Sequence, residues 1–283
     1  MNITSPPSSP EGPPTRPSAD VEGPSPGAAE EDDLFTAKAL DKALHEGQLS
    51  LLYQPIFRLQ DRRPVSVEAL LRWRSPKGAD RLPDTFIPCA ERGGLIDAIG
   101  LFVLKSACDQ IVVWRQQQSR VLPVSINVSA HQFRTPDFAS DFASIIATSG
   151  VDPHALQLEI TESALVDDPV TASARLDGLR ALGVGIAIDD FGVGYSSLSR
   201  LRHYHIDTLK LDHSFVHDVA DDFVANEVAA TIIRLAHRLG VSVVAEGVET
   251  EAQYTALLAM GCDAGQGFLL SRPLAADDIP GLA

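Results

Sequence analysis

From Leu34 onward, apolar runs of about four to six residues alternate with longer amphipathic stretches. The short runs bounded by turn residues predict strands at Leu51–Phe57, Val65–Leu71, Val124–Val128, Leu156–Thr161, Gly185–Ile188, Thr208–Leu211 and Ser242–Ala245, with a shorter one near Asp263–Gly265. Between them the periodicity becomes helical. Leu95–Gln118 is long and rich in Leu and Val, and Asp137–Ser149 follows. Pro169–Leu182 is entered through Asp167-Asp168 and left at Gly183; Asp222–Leu239 ends at Gly240 and Thr250–Met260 at Gly261 in the same way. A strand then a helix, repeated about eight times over roughly 250 residues, is the arithmetic of a (β/α)8 barrel. A doubly wound open sheet shares that periodicity, so the pattern alone leaves both open.

Residues 1–33 break the pattern. They hold 8 of the 19 prolines, 5 serines, 7 acids and one base, Arg16, with no aromatic residue. Such a segment buries too little apolar surface to offset its ordering entropy, and is expected to be a disordered tail. A linker or a partner-binding tail is the functional alternative. Residues 34–283 are then the globular part. There is ample core material, since 45% of the chain is hydrophobic.

With Lys+Arg 23 against Asp+Glu 38, the formal net charge is −15. Wrapping duplex nucleic acid needs clustered Lys and Arg, so that class is set aside. A small phosphorylated ligand held by one or two cations remains compatible. No apolar run approaches the roughly 20 residues of a membrane span, and MNITSPPSSPEGPP has neither the basic nor the apolar region of a secretory leader. Three scattered cysteines (Cys89, Cys108, Cys262) with no C-x-x-C argue against a disulfide scaffold and suit a reducing, cytoplasmic location.

The informative feature is the polar residue at each strand end. Glu68 and Arg72 lie on the second strand, Asn127 on the third, Glu159 and Glu162 at the fourth, and Asp189-Asp190 directly after Gly185–Ile188. Lys210 and Asp212 bracket the end of the sixth, Glu246 ends the seventh, and Gln266 follows the eighth. In a parallel barrel these ends converge on one mouth. Converging carboxylates repel without cations, and oxygen ligands lacking Cys or His select Mg²⁺ or Mn²⁺. Adjacent Asp189-Asp190 can serve two metals about 3.5–4 Å apart, as phosphoryl chemistry uses. Taken singly, each residue reads as well as a cap, a turn or a solvated charge. His203/His205 and His213/His217 have zinc-like spacing but no third ligand nearby, and read as structural. Ser196-Ser197 has no recognisable base, and Gly192/Gly194 is too short for a nucleotide fingerprint.

Val67-Glu68-Ala69-Leu70-Leu71-Arg72-Trp73 resembles the signature that names the EAL domain, the bacterial cyclic di-GMP phosphodiesterase family. The resemblance runs from about Leu34 to the C-terminus. It includes Gln54-Pro55-Ile56, Phe86-Ile87-Pro88, Ser125-Ile126-Asn127-Val128-Ser129, Glu159-Ile160-Thr161-Glu162, Asp189-Asp190-Phe191-Gly192, Gly194-Tyr195-Ser196-Ser197-Leu198, Leu209-Lys210-Leu211-Asp212, Glu246-Gly247-Val248-Glu249 and Gln266-Gly267-Phe268. The resemblance implies an α/β fold, a modified (β/α)8 TIM-type barrel whose first strand is antiparallel to its neighbours.

It also implies roles. Glu68, Asn127, Glu159 and Asp189 resemble ligands of a first Mg²⁺ or Mn²⁺, and Asp189 and Asp190 the link to a second. Lys210 resembles the residue that orients the nucleophilic water, Glu246 a second-metal ligand or general base, and Gln266 a residue holding water or the metal shell. Gln54, Leu70, Arg72, Asp212 and Gln266 are the implied substrate contacts. Glu162 resembles a brace for the loop after Asp190, which leads to a dimerisation helix. The implied reaction opens cyclic di-GMP to linear pGpG. A receptor that binds without cleaving, an interaction scaffold and a glycosidase are the rival classes. A homodimer is implied by the family, and a regulatory partner through the tail is open. Val193 stands where the family usually has Thr or Ala, and Tyr204-His205 where it usually has Leu-Pro.

Overall fold

The computed structural model describes residues 36–74, 80–117, 121–166, 168–192 and 204–282. The expected tail (1–33) and the features at Val193, Gly194, Ser196-Ser197 and His203 lie outside the described residues.

The strands are β1 (Leu49–Arg58), β2 (Pro64–Arg74), β3 (Asp80–Arg81), β4 (Val124–Val128), β5 (Leu156–Thr161), β6 (Gly185–Phe191), β7 (Thr208–Leu211), β8 (Ser242–Ala245) and β9 (Ala264–Gly265). Among the described residues the α-helices are α1 (Ala37–His45), α2 (Pro83–Arg92), α3 (Ile96–Gln117), α4 (Ala130–Arg134), α5 (Phe138–Ser149), α6 (Pro169–Arg180), α7 (His213–Val216), α8 (Phe223–Arg238) and α9 (Glu251–Ala259). Strand order is β1-β9-β8-β7-β6-β5-β4-β2, with β1 also pairing β2, so the sheet closes; β3 is an appendage on β2. β1 runs antiparallel to both of its neighbours, and the ladders from β2 through β4 to β9 are parallel. The fold is the expected α/β barrel with an antiparallel first strand, and an open sheet is excluded. No helix stands between β1 and β2, so a direct hairpin replaces one of the eight strand–helix repeats.

Period-two alternation divides each strand between helices and barrel interior. Val67, Ala69 and Trp73 of β2, Leu156, Leu158 and Ile160 of β5, and Leu209 and Leu211 of β7 are buried in the layer under the helices. α3 meets that layer with a stripe of Ile96, Ile99, Val103, Leu104, Ala107, Cys108, Ile111 and Trp114, spaced for one helical face. The Tyr53 ring of β1 meets Trp114 edge-on at 4.9 Å.

The interior positions carry the polar residues. At the N-terminal end they satisfy one another. Ser125 Oγ donates to Gln157 Oε1 (3.0 Å) and Gln157 Nε2 to Thr208 Oγ1 (2.9 Å). Gln157 passes Gly185 of the intervening strand, where a Cβ would sit 3.5 Å from its side chain. One step farther along their strands stand Glu159, Asp189 and Lys210, and Glu68, level with Ser125, reaches the same lysine.

Four helices have no counterpart in the sequence expectations: α1, α2, α4 and the single turn α7. α1 has an N-cap, Thr36, and buries only Leu40 and Ala43. α2 carries Pro88 in its interior, a residue that ordinarily argues against a helix. α4 is one short turn with a reciprocal Ser129/Gln132 capping box.

Gly267 and Gly178 give opposite predictions. A Cβ on Gly267 would lie 2.2 Å from Val248 O and 2.3 Å from Val248 N, backbone atoms that cannot swing aside. Gly267→Ala is expected to destabilise by about 1–3 kcal/mol or more. Gly178 sits exposed within α6 with nothing near its Cβ position, so Gly178→Ala is expected to stabilise by about 0.5–1 kcal/mol. Thermal and urea unfolding of the two variants checks both signs.

Candidate active site

Lys210 stands at the centre. β7 is buried along its whole length and points this side chain into the barrel, where it is 2% exposed. Its Nζ lies 2.6 Å from Glu159 Oε2, 2.7 Å from Glu246 Oε1, 3.3 Å from Asp189 Oδ1 and 3.5 Å from Glu68 Oε2. One ammonium thus faces carboxylates from β2, β5 and β6 and from the residue after β8. The sheet register makes this possible. Asn127 is level with Glu159, Thr161 with Asp189, and Lys210 with Val244, two residues before Glu246 on the same face.

Amides complete the cluster. Asn127 Nδ2 donates to Glu68 Oε1 at 2.7 Å, and Gln266 Nε2 donates to Glu68 Oε2 at 2.8 Å and to Gln54 Oε1 at 3.0 Å. Gln54, level with Glu68 on the antiparallel β1, passes the chain on to the Ser271 carbonyl at 3.0 Å. Glu159 Oε1 and Gln266 Oε1 are buried with no hydrogen-bond partner. Buried acceptors left open in this way are costly unless something else approaches them.

One cation among several acids splits their proton affinities. For Lys210, burial alone would lower the pKa, but Glu159, Glu68, Glu246 and Asp189 hold it well above the usual lysine value. Burial pushes Glu159 well above the carboxylate range; repulsion from Glu68 adds to this and Lys210 opposes it. Burial works the same way on Glu68, yet Lys210 and the bonds from Gln266 and Asn127 hold that carboxyl below its ordinary value. Burial lifts Glu246 to about 7 against the pull of Lys210. Asp190 is raised by burial, then by Asp189 and Asp212.

The β6 end is bent to present both aspartates. Asp190 has φ +53°, a left-handed conformation that Asp tolerates better than most residues, and its N–H donates to Asp189 Oδ1 at 3.0 Å. Gly192 follows at φ +95°, and its N–H donates to Glu162 Oε2 at 3.1 Å. Asp189, Asp190 and Glu246 each offer an oxygen, all within 4.8 Å of one another. Hard oxygen donors, open buried acceptors and excess negative charge together fit Mg²⁺ or Mn²⁺.

Leu70 and Arg72 share the interior face of β2 with Glu68, farther toward the mouth. Arg72 is buried and its Nη1 donates to the Leu71 carbonyl at 2.8 Å. Asp212 accepts from Ser214 N at 2.9 Å as the N-cap of α7. Gly247, Glu249 and Phe268 carry no expected role from the sequence. With Gln54, Glu246 and Gln266 they line a cavity of ≈ 210 Å³ beside the cluster. Phe268 is 54% exposed there, with the Arg272 guanidinium 4.3 Å over its ring. Their positions in the Glu246–Glu249 and Gln266–Phe268 motifs were the available signal. The histidines are dispersed. His205 Nδ1 meets Asp177 at 3.0 Å, His217 Nδ1 meets Asp218 at 2.7 Å, and His213 lies edge-on to His217. Tyr204, a departure from the family pattern, is buried and donates to the Leu165 carbonyl at 3.1 Å.

The chain is thus a closed mixed barrel with an acid cluster around one buried lysine at its C-terminal mouth, the end where barrel enzymes place their sites. Residues 37–273 match the EAL domain model, and the chain belongs to the EAL domain family of cyclic di-GMP phosphodiesterases. An uncharacterized protein of Mycobacterium tuberculosis is 40% identical over 248 residues, which is 86% of this chain and 81% of that one. The bifunctional diguanylate cyclase/cyclic di-GMP phosphodiesterase MucR of Pseudomonas aeruginosa is 38% identical over 249 residues, 88% of this chain and 36% of MucR. The MucR phosphodiesterase structure, a c-di-GMP complex, superposes with TM-score 0.82 at 39% identity, covering 86% of this chain and 98% of that one. The EAL enzyme Bd1971, with cAMP and cyclic di-GMP bound, gives TM-score 0.83 at 30% identity over 91% of this chain and 70% of that one. No helix among the described residues is long and apolar enough to cross a membrane.

The raised Glu246 pKa fixes the sign of a pH effect in chelator-treated protein. Between pH 4.5 and about 7 the folded chain holds a proton here that the unfolded chain has released. Stability from this group is therefore full below pH 4.5 and lost as pH rises through about 7. The melting temperature is expected to fall between pH 5 and pH 7.5, and Glu246→Gln is expected to flatten that slope. A slope unchanged in the variant contradicts the assignment.

Proposed function

We propose that this chain hydrolyses cyclic di-GMP to linear pGpG with the help of two divalent cations, Mg²⁺ or Mn²⁺. The observation that carries the reading is the single lysine facing Glu68, Glu159, Asp189 and Glu246 inside an EAL barrel. A binding module has no evident need for so costly an arrangement of charge.

Glu68, Asn127, Glu159 and Asp189 would hold one cation, and Asp189, Asp190 and Glu246 the other. Such ions supply charge neutralisation at the phosphodiester and a lowered pKa for attacking water. The chain's own residues do the rest. Lys210 keeps its proton and holds the acids around it in place, orienting the attacking water by donation. Glu246 serves either as a ligand of the second cation or as the general base that takes the attacking water's proton. Gln266 fixes Glu68 and Gln54 through its amide N–H and leaves its buried carbonyl oxygen for a water or ligand hydrogen. Arg72 and Leu70, above Glu68 on the same face, with Gln54 and Asp212, are the proposed contacts to the dinucleotide. Glu162 braces the Gly192 turn. Residues 34–283 form the catalytic unit of a cytoplasmic homodimer, and the acidic tail takes a regulatory partner.

A chromatographic assay tests this. Purified protein with cyclic di-GMP in Mg²⁺ or Mn²⁺ is expected to yield the linear dinucleotide, with none formed in chelator or by Glu68→Ala. Glu246→Gln is expected to slow turnover by about 10²–10⁴-fold. Binding of intact cyclic di-GMP without turnover in either metal overturns the enzyme reading in favour of a receptor.

A further inference from the structure

α7 is a single helical turn, yet it contacts the loops on both sides. β7, which leads into it, lies between β6 and β8 in the sheet. Residues two apart on a helix point about 200° from each other, so one turn can send a side chain each way. Phe215 goes toward the β6 end and His213 toward the β8 end. A Cβ on Gly192 would lie 2.6 Å from Phe215 Cζ and 2.7 Å from Cε2. One on Gly247 would lie 2.4 Å from His213 Cδ2 and 3.0 Å from Cγ. Each ring thus occupies space that only glycine leaves free. Both glycines have positive φ, +95° and +67°; Gly247 directly follows the candidate ligand Glu246, and Gly192 stands two residues after Asp190. The turn itself is anchored. Asp212 caps it through Ser214 N, and Gln253 Nε2 donates to the His217 carbonyl at 3.0 Å while its Oε1 accepts from Glu249 N at 2.8 Å.

We propose that α7 is a strut, with Phe215 and His213 as positioning residues that fix the distance between the Asp189-Asp190 turn and Glu246, and so set divalent-cation affinity at those three carboxylates. The inference rests on the two-cation reading above. Neither residue touches the reacting atoms. Their effect is carried by ring length against a glycine, so a strut that is too long is as harmful as one that is too short.

The test uses the full chain. Mn²⁺ is titrated calorimetrically into wild type, Phe215→Ala, Phe215→Tyr and His213→Ala, and amide exchange is followed on the same proteins in chelator. Phe215→Ala and His213→Ala are each expected to weaken Mn²⁺ binding about tenfold or more, the usual effect of losing support behind a ligand. Phe215→Tyr keeps the ring but lengthens it toward Gly192, and is also expected to weaken binding; a packing role alone would spare it. At saturating Mn²⁺, kcat is expected to fall with KM for cyclic di-GMP unchanged. In chelator, exchange is expected to quicken at Gly192 in the Phe215 variants and at Gly247–Glu249 in His213→Ala. His213 is exposed, so that variant remains informative if Phe215→Ala does not fold. Wild-type Mn²⁺ affinity in His213→Ala and Phe215→Tyr overturns the strut. Wild type that binds no Mn²⁺ overturns the functional reading instead, and the proposal with it.

Discussion

A buried ammonium held against four carboxylates is the interaction on which the rest of the site depends. Glu159 and Lys210 are 1% and 2% exposed, so neither charge is relieved by water. Removing one partner of such a buried pair typically costs about 3–5 kcal/mol, because the other is left uncompensated. The surplus is negative, and it is distributed unevenly. Glu68 is held ionised by two amides and the lysine, while Glu159 and Glu246 are driven toward protonation. A site with surplus acid, open carbonyl and carboxylate oxygens and only hard donors is prepared for cations rather than completed by its lysine.

The barrel exists to make that meeting possible. Carboxylates on β2, β5 and β6 are far apart in sequence, and closure of the sheet through the β1–β2 hairpin brings them to one axis. The antiparallel β1 also supplies Gln54 level with Glu68, which ties the acid cluster through Gln266 to the C-terminal segment at Ser271. Gly267, one residue past Gln266, must pass against the Val248 backbone for this link to form. The N-terminal end of the interior is closed differently, by neutral amide and hydroxyl groups that satisfy one another. Polar residues thus fill both ends, one end saturated and the other left open.

Much of this was legible in the chain. Val124–Val128, Leu156–Thr161, Thr208–Leu211 and Ser242–Ala245 are strands with the bounds the alternation gives. Gly185–Ile188 extends to Phe191, because two aspartates disguise the end of a strand that continues through them. Period alone did not choose between barrel and open sheet; that depends on β1–β2 pairing, a long-range register that the family resemblance supplied. The acids at strand ends were visible one by one. Their common contact with Lys210 was not, since it requires the relative height of four strands. α2 was concealed by Pro88, and α7 by being a single turn. His213 reads in the sequence as a structural histidine, solvated or hydrogen-bonded; the space its ring takes is left by the missing side chain of Gly247, thirty-four residues away.

The most direct measurement is the number of Mn²⁺ ions held per chain in the presence of cyclic di-GMP, by equilibrium dialysis at neutral pH. The account predicts two, falling to one in Asp190→Asn with the lysine cluster intact. No binding above that of a chain with Glu68, Asp189 and Glu246 all made neutral would contradict it.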